Sequence, residues 1–146
     1  MKATDQTRTI LRAEATAPAC LSLWWSDGAR ADIDLSDALK GRGFASLRDP
    51  AEFARARVGD WGHSVEWPSG VELGADSLWF ETLSATGRAD ARAFLEWRLR
   101  HALSLSKAAD ALGVSRRMVA YYSNGEKRVP KPILLACKGW EVSHAA

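Results

Sequence analysis

Only three residues, Gly113-Val114-Ser115, separate two stretches with a helical apolar period, "LSKAADAL" and "RRMVAYYS". So short a link obliges the two helices to cross and pack closely. Close packing needs small side chains at the contact, and Ala108 and Ala109 supply them. Gly113 accepts the positive φ that the turn demands. Leu112, Val114, Val119 and Tyr122 are spaced to fill a shared core. Ser104 and Ser115 stand where each helix needs an N-cap, and Gly125 ends the second of the pair. Before them, Phe94, Leu95, Leu99, Ala102 and Leu103 recur at spacings of three and four, which predicts a helix from about Asp90 to His101. After them, "KPILLACKGW" is enough for one short fourth helix.

On the third helix of this set, Met118, Val119 and Tyr122 share one face. The opposite face then carries Arg116, Arg117, Ala120 and Tyr121. Arginines at a helix start are placed to reach guanine edges or phosphates. Tyr121, one turn on, is expected to meet a base, a thymine methyl or a phosphate. The free amides at the starts of both helices of the pair, beside Ser104 and Ser115, suit a phosphate as well. Lys127, Arg128 and Lys131 follow and are expected to flank a duplex backbone. The same pattern also suits a plain packing motif with solvated arginines.

Residues 8–80 have a different period. In "CLSLWWSDGARADIDL", Leu21, Leu23 and Trp25 alternate with Ser22 and Trp24, and Ala31, Ile33 and Leu35 alternate with Asp32 and Asp34. That is a hairpin with one buried face, turning at Asp27-Gly28. Ser36 is expected to cap a short helical piece, "SDALKG". "FARARV" and "HSVEW" read as two further strands, and Pro68-Ser69-Gly70 as a turn before "VEL". Residues 82–90, "TLSATGRAD", are small and polar and read as a linker.

Charge divides the chain in the same place. Residues 1–87 hold nine Lys/Arg against thirteen Asp/Glu, and residues 88–146 hold eleven against five. A basic second part suits a polyanion. The N-terminal "MKATDQTRTILRAEA" is charged where a signal peptide would be apolar, and no apolar run is long enough for a membrane span, so a cytoplasmic location is expected. Cys20 and Cys137 then read as small buried thiols rather than a disulfide. His63, His101 and His144 lack metal-ligand spacing, no phosphate loop or catalytic triad pattern appears, and the alternating Asp32 and Asp34 suit a solvated face. An enzyme, a metal site and a cofactor are therefore not expected. Five of seven tryptophans fall in the first part, more than a small core requires. Trp24, opposite Leu23 and Trp25, is the candidate for an outward partner contact.

Residues 91–142, through "SLSKAADALGVSRRMVAYYSNGEKRVP", resemble the lambda-repressor-like helix-turn-helix family, often called the XRE family. The resemblance implies that the third helix is a recognition helix, with Arg116, Arg117, Ala120 and Tyr121 where that family touches bases. Leu105 and Lys107 fall where it makes phosphate contacts, although Leu105 replaces the usual polar residue. Ser123 stands where a glutamate is common, which removes an ion pair to Arg98, a modest loss if the site is exposed. Only "KPILLACKGW" follows the signature, so the family's usual fifth helix is not expected within these residues.

Residues 9–80 resemble a small bacterial domain of unknown function, number 2442, through "WWSDGARADIDLSDAL", "GFASLRDPAEFARARV" and "HSVEWPSGVEL". That resemblance implies a partner-binding or regulatory domain of the kind found in toxin–antitoxin-like gene pairs.

The expected fold class is α+β: a small antiparallel, β-rich domain over 1–81, a linker over 82–90 and an all-α helix-turn-helix domain over 91–146. The expected function is sequence-specific binding of double-stranded DNA by a bacterial transcriptional regulator, as a homodimer on a palindromic site. The alternative is an antitoxin or adaptor that chiefly binds a small protein encoded nearby, with DNA binding for autoregulation.

Overall fold

The computed structural model describes residues 8–145; residues 1–7, part of the charged N-terminal stretch, and Ala146 lie outside the described residues. The fold is α+β, with strands in the first part and mainly helices in the second. Contacts divide the chain into two compact units, Arg8–Thr86 and the residues from Gly87 onward.

In the first unit, β1 (Ile10–Ala17), β2 (Cys20–Trp25) and β3 (Arg30–Asp34) form an antiparallel sheet with β2 in the centre. Leu23 sits opposite Ala13 on one side and Ala31 on the other, so the alternating apolar residues share one face. Leu21, Leu23, Trp25, Ala31, Ile33 and Leu35 are all buried. Each large apolar side chain among them contributes roughly 1.5–3 kcal/mol. Gly28 turns the hairpin at φ 92°, and the Ala29 amide donates to Asp27 Oδ1 at 3.0 Å.

The middle of this unit departs from the expected strands. "SDALKG" forms only a 3-10 turn, Ala38–Lys40, and Ser36 does not cap it. The Ser36 amide instead donates to Asp34 Oδ1 at 2.8 Å, which ends β3 in a local turn. "FARARV" is a strand only at its end, β4 (Arg57–Val58). Phe53 closes a one-turn helix, α1 (Pro50–Phe53), because Asp49 accepts the Ala51 amide at 3.1 Å and Pro50 presets the first helical φ. β5 (Ser64–Glu66) and β6 (Glu72–Gly74) complete a second antiparallel sheet in the order β4-β5-β6.

An eleven-residue helix, α2 (Ala75–Ala85), follows directly. It overturns the linker reading for residues 82–85, since Thr82 and Leu83 are buried. Ala75, Leu78, Trp79, Thr82 and Leu83 form its inner stripe at offsets of three, four, seven and eight. Trp25 meets Trp79 edge-on at 5.1 Å between ring centroids.

The second unit has four helices among its described residues: α3 (Ala89–Arg100), α4 (Leu105–Leu112), α5 (Arg116–Asn124) and α6 (Lys131–Ser143). α6 has thirteen residues and is longer than the short helix expected, because nothing in "EVS" interrupts it after Trp140. Phe94 and Trp97 of α3, Leu105, Ala108 and Ala109 of α4, Val119 and Tyr122 of α5, and Cys137 of α6 form one buried cluster with Val129. Leu112, Val114 and Met118 pack against it. Leu105, 5% exposed, belongs to this core. A phosphate contact from its side chain is thereby overturned, and an apolar residue is what the position needs. Ser123 and Arg98 are both buried, so their site is not the exposed one assumed for a modest loss.

Candidate nucleic-acid interface

The α4–α5 connection is built as its residue types dictate. Gly113 takes φ 72°, ψ 31°, and its amide donates to Ala109 O at 2.9 Å while the Val114 amide donates to the same carbonyl at 3.2 Å. No atom stands within 4 Å of a Cβ placed there, so conformation alone selects glycine. Ser104 Oγ accepts the Lys107 amide and Ser115 Oγ accepts the Met118 amide, each at 3.0 Å. Ser115 is therefore first a cap, and its O–H remains to donate to a phosphate.

Arg116 and Arg117 are exposed in the first turn of α5. No acidic residue shares that turn, and among the described residues neither guanidinium has an ion-pair partner. A cation at a helix N-terminus opposes the helix dipole, at a cost of about 0.3–1 kcal/mol each. The arrangement therefore does not serve helix stability. It adds two permanent cations to a helix end whose free amides already favour anions. The pattern recurs in this unit. α4 and α6 also begin without an acidic residue and carry exposed Lys107 and Lys131 in their first turns. α3 alone starts conventionally, with Asp90.

Tyr121 and Tyr122 take different roles. Tyr122 is buried and meets Phe94 edge-on at 5.3 Å. Tyr121 is half-buried, and Lys127 Nζ lies 5.1 Å from its ring centroid. Ala120 is also half-buried and packs partly on the core, so it presents less outward surface than the helical spacing suggested. Arg128 is exposed but engaged: its Nη1 donates to Gly87 O at 3.2 Å and lies 3.5 Å from Asp90 Oδ1.

Sequence reasoning missed the roles of Arg88, which it left in the linker, and of Asp90, which it set at the boundary of linker and helix. Arg88 Nε and Nη2 donate to the two Asp90 oxygens at 3.2 and 3.3 Å. Asp90 Oδ2 accepts the Val129 amide at 2.8 Å. Burial alone would raise the Asp90 pKa, but the Arg88 hydrogen bond, the Val129 and Ala91 amides and the Arg88 charge outweigh it and bring the carboxyl down to about 2. The only local hint was an acid just before an apolar helical period; the partners lie 37 to 39 residues away.

Trp24 lies in the first unit and is half-buried. Arg12 and Arg30 stand over its ring at 4.7 and 5.0 Å. The outward tryptophan is instead Trp61, 86% exposed, with φ 63° in a 3-10 turn. Its neighbour Gly62 explains the turn, since a Cβ there would come within 2.6 Å of the Ile10 carbonyl oxygen. Among the described residues no three potential metal ligands come together, and no helix is long and apolar enough to cross a membrane.

A family model described as "Protein of unknown function (DUF2442)" matches residues 10–83, half of the chain. The chain belongs to the DUF2442 family. The match ends inside the last turns of α2, so the helix is part of the DUF2442 unit. The chain is also similar over 92% of its length to a solved crystal structure from Nitrosomonas europaea ATCC 19718, the "Putative DNA Binding Protein NE0471". The two share 39% identity, the match covers 86% of that chain, and the TM-score is 0.72. That match extends beyond the DUF2442 region into the helical unit. No curated protein matches the chain.

Proposed function

We propose that this DUF2442 protein is a sequence-specific DNA-binding regulator that uses α4 and α5 as a helix-turn-helix, with α5 entering a major groove. The observation that carries the reading is the pair of exposed guanidiniums, Arg116 and Arg117, set against the dipole of α5 without acidic partners. In this reading they contact base edges, with Tyr121 and Ala120 beside them. Lys107, Ser115, Lys127 and Lys131 contact phosphates and set the docking position. The similar Nitrosomonas protein, described as a "Putative DNA Binding Protein", supports the same direction. One such unit reads few bases, so the chain acts as a homodimer on a palindromic site. It is not an enzyme and uses no cofactor. The test is a salt-titrated footprint on the DNA upstream of its own gene. Wild type should protect a discrete site, and Arg116→Ala with Arg117→Ala should abolish the sequence preference. Unchanged affinity and preference in the double variant would overturn the assignment.

A second reading is favoured by Trp61. A large exposed aromatic in a left-handed conformation costs of order 1–3 kcal/mol, and such strain clusters at functional sites. In this reading the DUF2442 unit binds a small protein encoded nearby, as an antitoxin or adaptor does, and DNA binding serves autoregulation. Co-purification with the product of the adjacent reading frame, lost in Trp61→Ala, tests it.

A further inference from the structure

The loop after α5 is held at alternate positions from one source. Arg88 Nη1 donates to the Gly125 carbonyl, and Arg88 Nη2 donates to the Lys127 carbonyl at 3.1 Å. Asp90 holds the Val129 amide and, by accepting from Arg88, fixes the guanidinium that makes the other two bonds. Arg128 closes the same cluster from the loop side through Gly87 O. Lys127 is thereby fixed through both its main-chain groups, since its amide also donates to Tyr121 O at 3.4 Å. Its side chain is exposed, with Nζ over the Tyr121 ring. A free lysine loses rotamer and loop freedom when it meets a phosphate, and a loop already ordered loses less.

We infer that Arg88 and Asp90 are positioning residues that preorganise Lys127, beside Tyr121, as a phosphate contact of the DNA-binding surface. The inference rests on the DNA-binding reading above. Neither residue needs to touch DNA; both act through the loop. Arg128, although exposed, belongs to the clamp in this arrangement rather than to the set of phosphate contacts.

The experiment is a double-mutant cycle on the full chain, using a mixed-sequence DNA duplex across a salt series. Asp90→Asn keeps an acceptor for Val129 but removes the charge that orients Arg88. Arg88→Lys keeps the charge but cannot make the fork of hydrogen bonds. Each should weaken binding several-fold and reduce the slope of log affinity against log salt by about 1, the value of one phosphate contact. In a Lys127→Ala background neither substitution should have a further effect on affinity or slope. A merely structural role would weaken binding equally in both backgrounds and leave the slope unchanged. Wild-type slopes in both single variants, or losses that add in full to Lys127→Ala, would overturn the inference and leave the DNA-binding reading intact. Absence of salt-dependent duplex binding by the wild-type chain would overturn both.

Discussion

Trp25 Nε1 donates to Thr82 Oγ1 across 3.1 Å, and the Thr82 hydroxyl donates in turn to the Leu78 carbonyl at 2.9 Å. This buried relay fastens the central strand of the first sheet to α2, 57 residues later in the chain. It makes the end of α2 a structural requirement of the first unit. Thr82→Val keeps the shape but strands the indole N–H. A buried unsatisfied donor costs about 1–3 kcal/mol, so urea unfolding followed by tryptophan fluorescence should show that loss. A midpoint equal to wild type would mean that the relay does not stabilise the unit.

Two glycines with positive φ should differ sharply in their tolerance of alanine. Gly113→Ala meets no atom within 4 Å and suffers conformational strain alone, about 1 kcal/mol. Gly62→Ala faces the same kind of strain at φ 74° and also brings its Cβ to 2.6 Å from Ile10 O, a main-chain atom that cannot move aside cheaply. Thermal melts should show the larger loss for Gly62→Ala. Equal losses would show that the first unit relaxes around position 62.

The helix caps give a further comparison. Ser104→Ala and Ser115→Ala each remove one bond to an N-terminal amide and should each cost roughly 1 kcal/mol of stability. Under the proposed function the second should also weaken DNA binding, because it loosens the helix start that carries Arg116 and Arg117. Circular dichroism melts beside binding isotherms would separate the two effects.

Stability of the helical unit should fall in acid. The Asp90 pKa is lowered to about 2 from an ordinary 3.8, so its contribution is fully present above pH 4 and is lost as pH falls through 2. A shift of that size corresponds to roughly 2 kcal/mol. Glu141, whose carboxylate accepts from His101 Nε2 at 2.7 Å and from Arg100 Nη2 at 2.6 Å, is lowered as well and adds a loss in the same direction. The melting temperatures of wild type and Asp90→Asn should therefore converge as pH drops from 7 to 2. A constant gap would mean that the Asp90 charge is not what stabilises the unit.

Cys137 is buried in the helical core, and burial, reinforced by the Glu141 charge, pushes its thiol up to about 12. Near neutral pH a thiol-disulfide reagent should modify it only as fast as the unit opens, while half-buried Cys20 reacts sooner. Equal labelling rates in the native chain would contradict that burial.

Local chemistry made several elements legible in the chain. Alternation in "CLSLWW" and "ARADIDL" marked the apolar face of the sheet, because strand geometry sends successive side chains to opposite sides, but it did not foresee that Ser22 on the other face is buried as well. Ser104, Gly113, Ser115 and Gly125 marked two helices and their turn, because caps and positive φ are decided within a few residues. The exposure of Arg116 and Arg117 and the burial of Tyr122 followed from spacing on one helix. α2 was legible in its stripe of Ala75, Leu78, Trp79, Thr82 and Leu83, but Thr82 disguised it, since a polar residue reads as outward until its buried partners, the Leu78 carbonyl and the Trp25 indole, are in place. Other features depended on groups distant in the chain. Trp24 is sheltered by arginines from the two neighbouring strands, while Trp61 is left outward by a turn that Gly62 presses against Ile10. Arg88 and Asp90 find their partners beyond α5. Cap and period are local properties of a chain, whereas the satisfaction of a buried charge or hydroxyl depends on which distant groups the fold brings within hydrogen-bond reach.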